Sequence, residues 1–265
     1  IVMHKCDGRL SRNPASVRDS PNERPPMEGF AFWSLAVLAA FCVGLSKGGA
    51  PAFGALVVPI LSLTISPVAA AGLLLPVFVF SDVFGVWAYR KYANWAILRI
   101  AVIGIVIGTG IGWATAHIVS DNFVRVLIGV IGFTFSLFFL LRSRANTQAT
   151  SAGRTAGLFW TTIAGFTGFV SHAGAPPWQV WVLPQKLPKM VFAGTSTFAF
   201  AMMNALKIVP YYALGQLQAD NLRVTLILFI PAVIAVLVAY KLIRICPNGC
   251  FMPSSHGRCC LCRSN

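Results

Sequence analysis

Acidic side chains are scarce in this chain, and scarcest where it is most apolar. Seven Asp and Glu stand against 21 Lys and Arg, and four of the seven (Asp7, Asp19, Glu23 and Glu28) lie before residue 30. From there on only Asp82, Asp121 and Asp220 remain. Charge of either sign is thin, at 11% of 265 residues, while 57% are hydrophobic. A soluble domain carries about 25% charged residues, so the composition is that of a polytopic membrane protein. With Asp82 the one acid placed inside a span and His172 the one deeply placed histidine, the apolar part holds no nucleophile with a base and an orienting partner. Nor does it hold a paired set of metal ligands, so neither an enzyme, nor catalytic residues, nor a cofactor is expected. A Walker-type phosphate loop is lacking, so ATP-driven transport would need another subunit. No basic solvated domain is visible, which argues against nucleic acid as a partner and assigns the +14 net charge to helix ends and topology.

What is present is a series of long apolar runs. A span needs about 20 apolar residues. On that requirement helices are expected near 30–46, 67–89, 96–118, 122–142, 155–170, 190–215 and 221–243. The pieces 52–65 and 176–187 are short and proline-rich, and are read as re-entrant or half helices. Residues 1–29 are polar and are read as a disordered extension, or as sequence upstream of a start at Met27. No signal-peptide pattern precedes Phe30, so the first apolar run is read as a retained helix.

The most informative phrase occurs twice. Ser46-Lys47-Gly48-Gly49-Ala50-Pro51 and Ser171-His172-Ala173-Gly174-Ala175-Pro176 agree at four of six positions, at an offset of 171 − 46 = 125. Each interrupts an apolar run. Weaker pairings support a duplication: Asn94 to Ile100 with Asp220 to Val224, and Asp82 with Asn204. The expected fold is therefore all-α, with two repeated helical halves and Gly/Pro-broken half helices. The first repeat covers 30–142, the linker 143–154 and the second repeat 155–245. Discontinuous helices at corresponding places in two halves point to a transporter's binding site.

The same offset places an eighth span near 246–266, where the chain instead runs from Cys246 through Pro247 and Gly249 to Asn265. Five of the seven cysteines (Cys246, Cys250, Cys259, Cys260 and Cys262) crowd there with His256. A zinc site is one reading, but the spacing is not that of paired CxxC knuckles, so no metal is assigned. The favoured reading is an atypical tail in place of a final helix, leaving an apolar groove that an oligomeric partner would have to cover.

Gly44-Leu45-Ser46-Lys47-Gly48-Gly49, the Leu75-Pro76 to Asp82 helix ending in Trp87-Ala88-Tyr89-Arg90, and Gly174-Ala175-Pro176-Pro177 form an ordered set. With Leu187-Pro188-Lys189, Thr195-Ser196 and Asn204-Ala205-Leu206-Lys207, that set resembles the sulfite exporter TauE/SafE family over about residues 28–244. The resemblance implies a multi-pass permease of the bacterial inner membrane that moves sulfite, sulfoacetate or related sulfur oxyanions.

Residue chemistry supplies a site independently. Helix N-termini at glycine-rich breaks offer N–H groups to an anion. Ser46, Gly48 and Gly49 in one half and Ser171 and Gly174 in the other are candidate donors, with Lys47 a fixed cation and His172 a titratable group. Asp82 is a candidate proton carrier, with Asn204 and Lys207 lining the anion path and Thr195 and Ser196 as polar liners. The structural alternatives are close packing for the glycines, snorkelling for Lys47, helix glue for Thr195 and Ser196, and an Asp82–Lys207 ion pair. A secondary anion transporter is favoured over an uncoupled channel or a non-enzymatic assembly factor. The expected partners are a small anion, the lipid bilayer and, to cover the groove, a homo-oligomer. Arg90, Lys91, Arg142, Arg144 and Arg154 mark cytoplasmic loops; the Lys186–Lys189 loop falls outside on this scheme, against the charge tendency.

Overall fold

The computed structural model describes residues 29–47, 51–143, 153–217 and 222–245. Gly48, Gly49, Asp220, Asn221, most of the expected linker, nearly all of the N-terminal extension and the cysteine-rich tail lie outside the described residues. Within them the chain is all-α: α1 (Phe30–Lys47), α2 (Ala52–Leu61), α3 (Pro67–Tyr89), α4 (Trp95–Thr115), α5 (Asp121–Ser143), α6 (Arg154–Ser171), α7 (Ala175–Val182), α8 (Lys189–Ala213) and α9 (Leu222–Ile245). The short helices α2 and α7 fall on the two segments expected to be half helices. Local chemistry sets the starts. The Ser66 hydroxyl accepts from the Ala69 N–H ahead of Pro67, and the Asn94 side chain accepts from Ala96 and Ile97.

Six described helices are long and apolar enough to cross a membrane: α1, α3, α4, α5, α8 and α9. The segment expected at 155–170 forms α6 but is not among them. Its 18 residues include Thr155, Thr161, Thr162, Thr167 and Ser171, and the expectation counted length more than polarity. What these residues do instead is pack. Gly104, Gly108 and Gly112 recur every fourth residue on α4, meeting Thr161, Thr162 and Phe169 of α6, while Gly165 of α6 meets Ile105 and Gly108. A Cβ at 108 would run into the Thr162 carbonyl, and one at 165 would lie 2.6 Å from the Ile105 carbonyl oxygen. The two helices run parallel in near backbone contact, the small-residue packing that serves where hydrophobic burial gives no drive between helices. Gly108→Val is therefore expected to wedge them apart and cost about 1–3 kcal/mol, read as a lower melting midpoint in detergent. Gly129→Val, on a face of α5 with nothing within 4 Å, should leave that midpoint nearly unchanged.

Contacts between loops sort the helix ends. At one end the Val68 N–H donates to Asp121 Oδ1 (3.3 Å), and Gly72 lies against Gln216. At the other, the Asn94 N–H donates to Thr195 Oγ1 (3.0 Å) and Tyr92 packs on Gly194. The start of α8, and with it the Lys186–Lys189 loop, thus shares an end with Arg90 and Lys91. That corrects the sequence-based placement of this loop on the opposite side. The error came from counting 155–170 as a full crossing, whereas α6 and α7 form a hairpin that brings the chain back to the end it entered from. The pairs α1–α2 and α6–α7 are hairpins entering from opposite ends, and their turns meet inside.

Candidate functional site

The two hairpin turns and α8 border a small pocket that is open on one side. Ser46 and Lys47 reach it from the end of α1, and Pro51 and Gly54 from the first turn of α2. His172 and Ala175 come from the α6–α7 turn, and Asn204 and Lys207 from α8. Phe78, Phe200 and Met203 supply apolar walls. Both half helices thus begin at the pocket, their positive ends inward.

A continuous polar chain runs behind and beside it. Lys47 Nζ forms an ion pair with Asp82 Oδ1 at 2.6 Å, both side chains deeply buried. Asp82 Oδ2 accepts from Asn204 Nδ2 (2.7 Å), whose Oδ1 accepts from Lys207 Nζ (3.2 Å). Lys207 Nζ also lies 3.1 Å from His172 Nδ1, and His172 Nε2 lies 3.0 Å from the Ala71 carbonyl oxygen. Opposite an ammonium at Lys207, Nδ1 accepts and Nε2 donates to the carbonyl, which is the neutral imidazole. His172 closes α6 at φ 55°, a left-handed conformation unusual for a residue with a side chain. That turn aims the ring at Lys207, and stacking on Phe78 (centroids 4.6 Å apart) holds it there.

The alternatives raised from sequence separate here. Lys47 is 2% exposed, so it does not snorkel, and it sits 5.1 Å from the Phe78 ring centroid. Asp82 pairs with Lys47 rather than with Lys207, which Asn204 keeps one residue away. Asp82 itself does not line the pocket. The Ser46 hydroxyl donates to the Val43 carbonyl (2.6 Å) and the Ser171 hydroxyl to the Thr167 carbonyl (3.2 Å), so both protons are used within their own helices. Gly174 is a close-packing position, where a Cβ would lie 2.7 Å from the Ala164 carbonyl oxygen. Thr195 accepts from the Asn94 amide, and Ser196 accepts from Trp178 Nε1 (2.8 Å). Both act as glue between elements and neither lines the pocket. Pro176 and Pro177 have no N–H and the Trp178 N–H is taken by the Gly174 carbonyl, which leaves the Ala175 amide as the donor α7 can offer at the pocket.

Several contributors were missed. Thr197 donates to the Lys47 carbonyl (3.2 Å), and Gly85 leaves room for the Thr197 methyl that packs against it. Phe78, Phe200 and Ala71 read as ordinary apolar helix residues. Gly85 alone had a signal, standing one turn after Asp82 on the same face.

Comparison with curated proteins found no match, and comparison with solved structures found none either. The family model described as Sulfite exporter TauE/SafE matches residues 36–252, a range that takes in every pocket residue named above. The chain is a member of the TauE/SafE sulfite exporter family.

Proposed function

We propose that this protein exports sulfite, or an organosulfonate or related sulfur oxyanion, across the bacterial inner membrane by secondary transport, and that the substrate binds in the pocket between Lys47 and Lys207. One observation carries the reading. Both buried lysines line the pocket, whereas the neighbouring carboxylate, Asp82, is paired with Lys47 and does not line it. An anion entering there meets two ammonium groups, the Asn204 amide and the first turns of α2 and α7. It meets no described carboxylate on the pocket wall. Cations would be repelled by the same arrangement. Opposed hairpin turns also suit alternating access, since rocking one hairpin against the other opens the pocket to one end at a time. Ser171, Gly174, Thr195 and Ser196 then act by holding the elements around the pocket, and Ser46 by packing against α2.

The experiment is flux through proteoliposomes loaded with sulfite, sulfate, sulfoacetate or chloride, with and without a pH gradient. Saturable sulfite or sulfoacetate flux, competed by the other sulfur oxyanions and exceeding chloride flux, is the expected result. Chloride flux that does not saturate would favour an open anion pore. Flux of none of these anions by protein that is correctly inserted would remove the proposal.

A further inference from the structure

The charges around the pocket do not balance. With Lys207 as an ammonium, it and Lys47 bring two positive charges and Asp82 one negative, and His172 accepts from Lys207 as a neutral ring, so in that state the empty site holds one positive charge in excess. Every member is at least nine-tenths buried. An uncompensated charge in such a place is costly, and the cost grows with its size. A bound monoanion cancels the excess. A dianion overshoots it and leaves the site negative.

We propose that this site loads to neutrality: a monoanion enters alone, and a dianion enters only together with one proton, which Asp82 takes. This rests on the reading of the pocket as the anion site. Lys47 lines the pocket and is paired with Asp82, so a dianion there competes with the carboxylate for the same ammonium. As Lys47 turns to the anion, a proton from solvent forms the O–H bond at Asp82 Oδ1, the oxygen that Lys47 vacates. Oδ2 keeps the Asn204 amide, and no other bond is made or broken. His172 is the poorer acceptor, because its Nδ1 already takes a proton from Lys207, and protonation there would set two cations 3.1 Å apart. Among the described residues, the charged groups acting on Asp82 are Lys47 from α1 and Lys207 from α8. α2, α5 and α9 bring none to it, and α6 brings only His172, reached through Lys207. Sulfite, which is both mono- and dianion around neutral pH, would leave in either form with the same net charge.

The test is calorimetric titration of the full chain in buffers of different ionisation enthalpy, which counts protons taken up per anion. Sulfate and sulfoacetate serve as dianions that stay unprotonated near neutrality, and methanesulfonate as a monoanion. The expected result is one proton per dianion, with Kd rising about tenfold per pH unit by linkage, and none for methanesulfonate. Asp82→Asn should bind the dianions with no proton uptake and a flat pH profile. The proposal is overturned by dianion binding without proton uptake, by an Asp82→Asn protein that still takes up the proton, or by dianions failing to bind at acidic pH where methanesulfonate binds. The wild-type proton count decides even where the variant does not fold. Binding of no anion at all would instead defeat the pocket reading itself, and this inference with it.

Discussion

Replacing Lys47 by Met should abolish anion flux and lower stability together, and a second substitution should separate the two losses. Lys47 is the sole ion-pair partner of Asp82 within the described residues, and both are buried. Removing one member of such a pair leaves the other charge uncompensated, at a cost of about 3–5 kcal/mol. The melting midpoint in detergent should fall accordingly. Lys47→Met combined with Asp82→Asn removes both charges, and replacing a buried pair by neutral groups is often without penalty. The double variant is therefore expected to recover most of the stability while dianion flux stays absent, because the Lys47 charge and the carboxylate that would take the accompanying proton are both gone. Recovery of flux in the double variant would show that Lys47 serves only to neutralise Asp82.

Lys207→Met gives the second large effect, with a different signature. Lys207 donates to both Asn204 and His172, and its loss leaves two buried acceptors without that donor, at about 1–3 kcal/mol. The larger consequence is at the pocket, where the excess positive charge disappears. One cation about 4 Å from an anion is worth about 4 kcal/mol at an effective dielectric of 20, so anion affinity should drop by a hundredfold or more. Lys207→Arg keeps the charge and should retain measurable flux, although the guanidinium cannot reproduce the geometry of a point donor. Equal loss in the Arg and Met variants would mean that fit at His172 and Asn204 matters more than charge.

The elements were legible in the sequence and the partnerships between them only in part. Apolar runs and the starts at Ser66-Pro67 and Asn94 placed the long helices close to where they lie, and the Gly/Pro breaks placed α2 and α7. The two hairpin turns bring Lys47 and His172 to one pocket, as two broken segments at matching places suggested. Asp82 and Asn204, paired by sequence offset, are hydrogen-bonded. Which cation Asp82 would choose was not legible, because that depends on the rotation of α1 and α8 about their axes, and nearly uniform apolarity leaves helix rotation unspecified. The hydroxyls at Ser46, Ser171, Thr195 and Ser196 attracted attention as polar groups in apolar runs. In a helix such groups most readily bond backbone or neighbours, and here each does. The row Gly104, Gly108, Gly112 carried a spacing signal for close packing that was available and unread.

The most direct measurement is the position of the bound anion. Selenite has the shape and charge of sulfite, and its selenium scatters anomalously, so a crystal of the full chain grown with selenite locates the atom without ambiguity. The selenium peak is expected in the pocket between Lys47 Nζ and Lys207 Nζ, against the first turns of α2 and α7. A peak elsewhere in the membrane-spanning part, with this pocket filled by water alone, would contradict it.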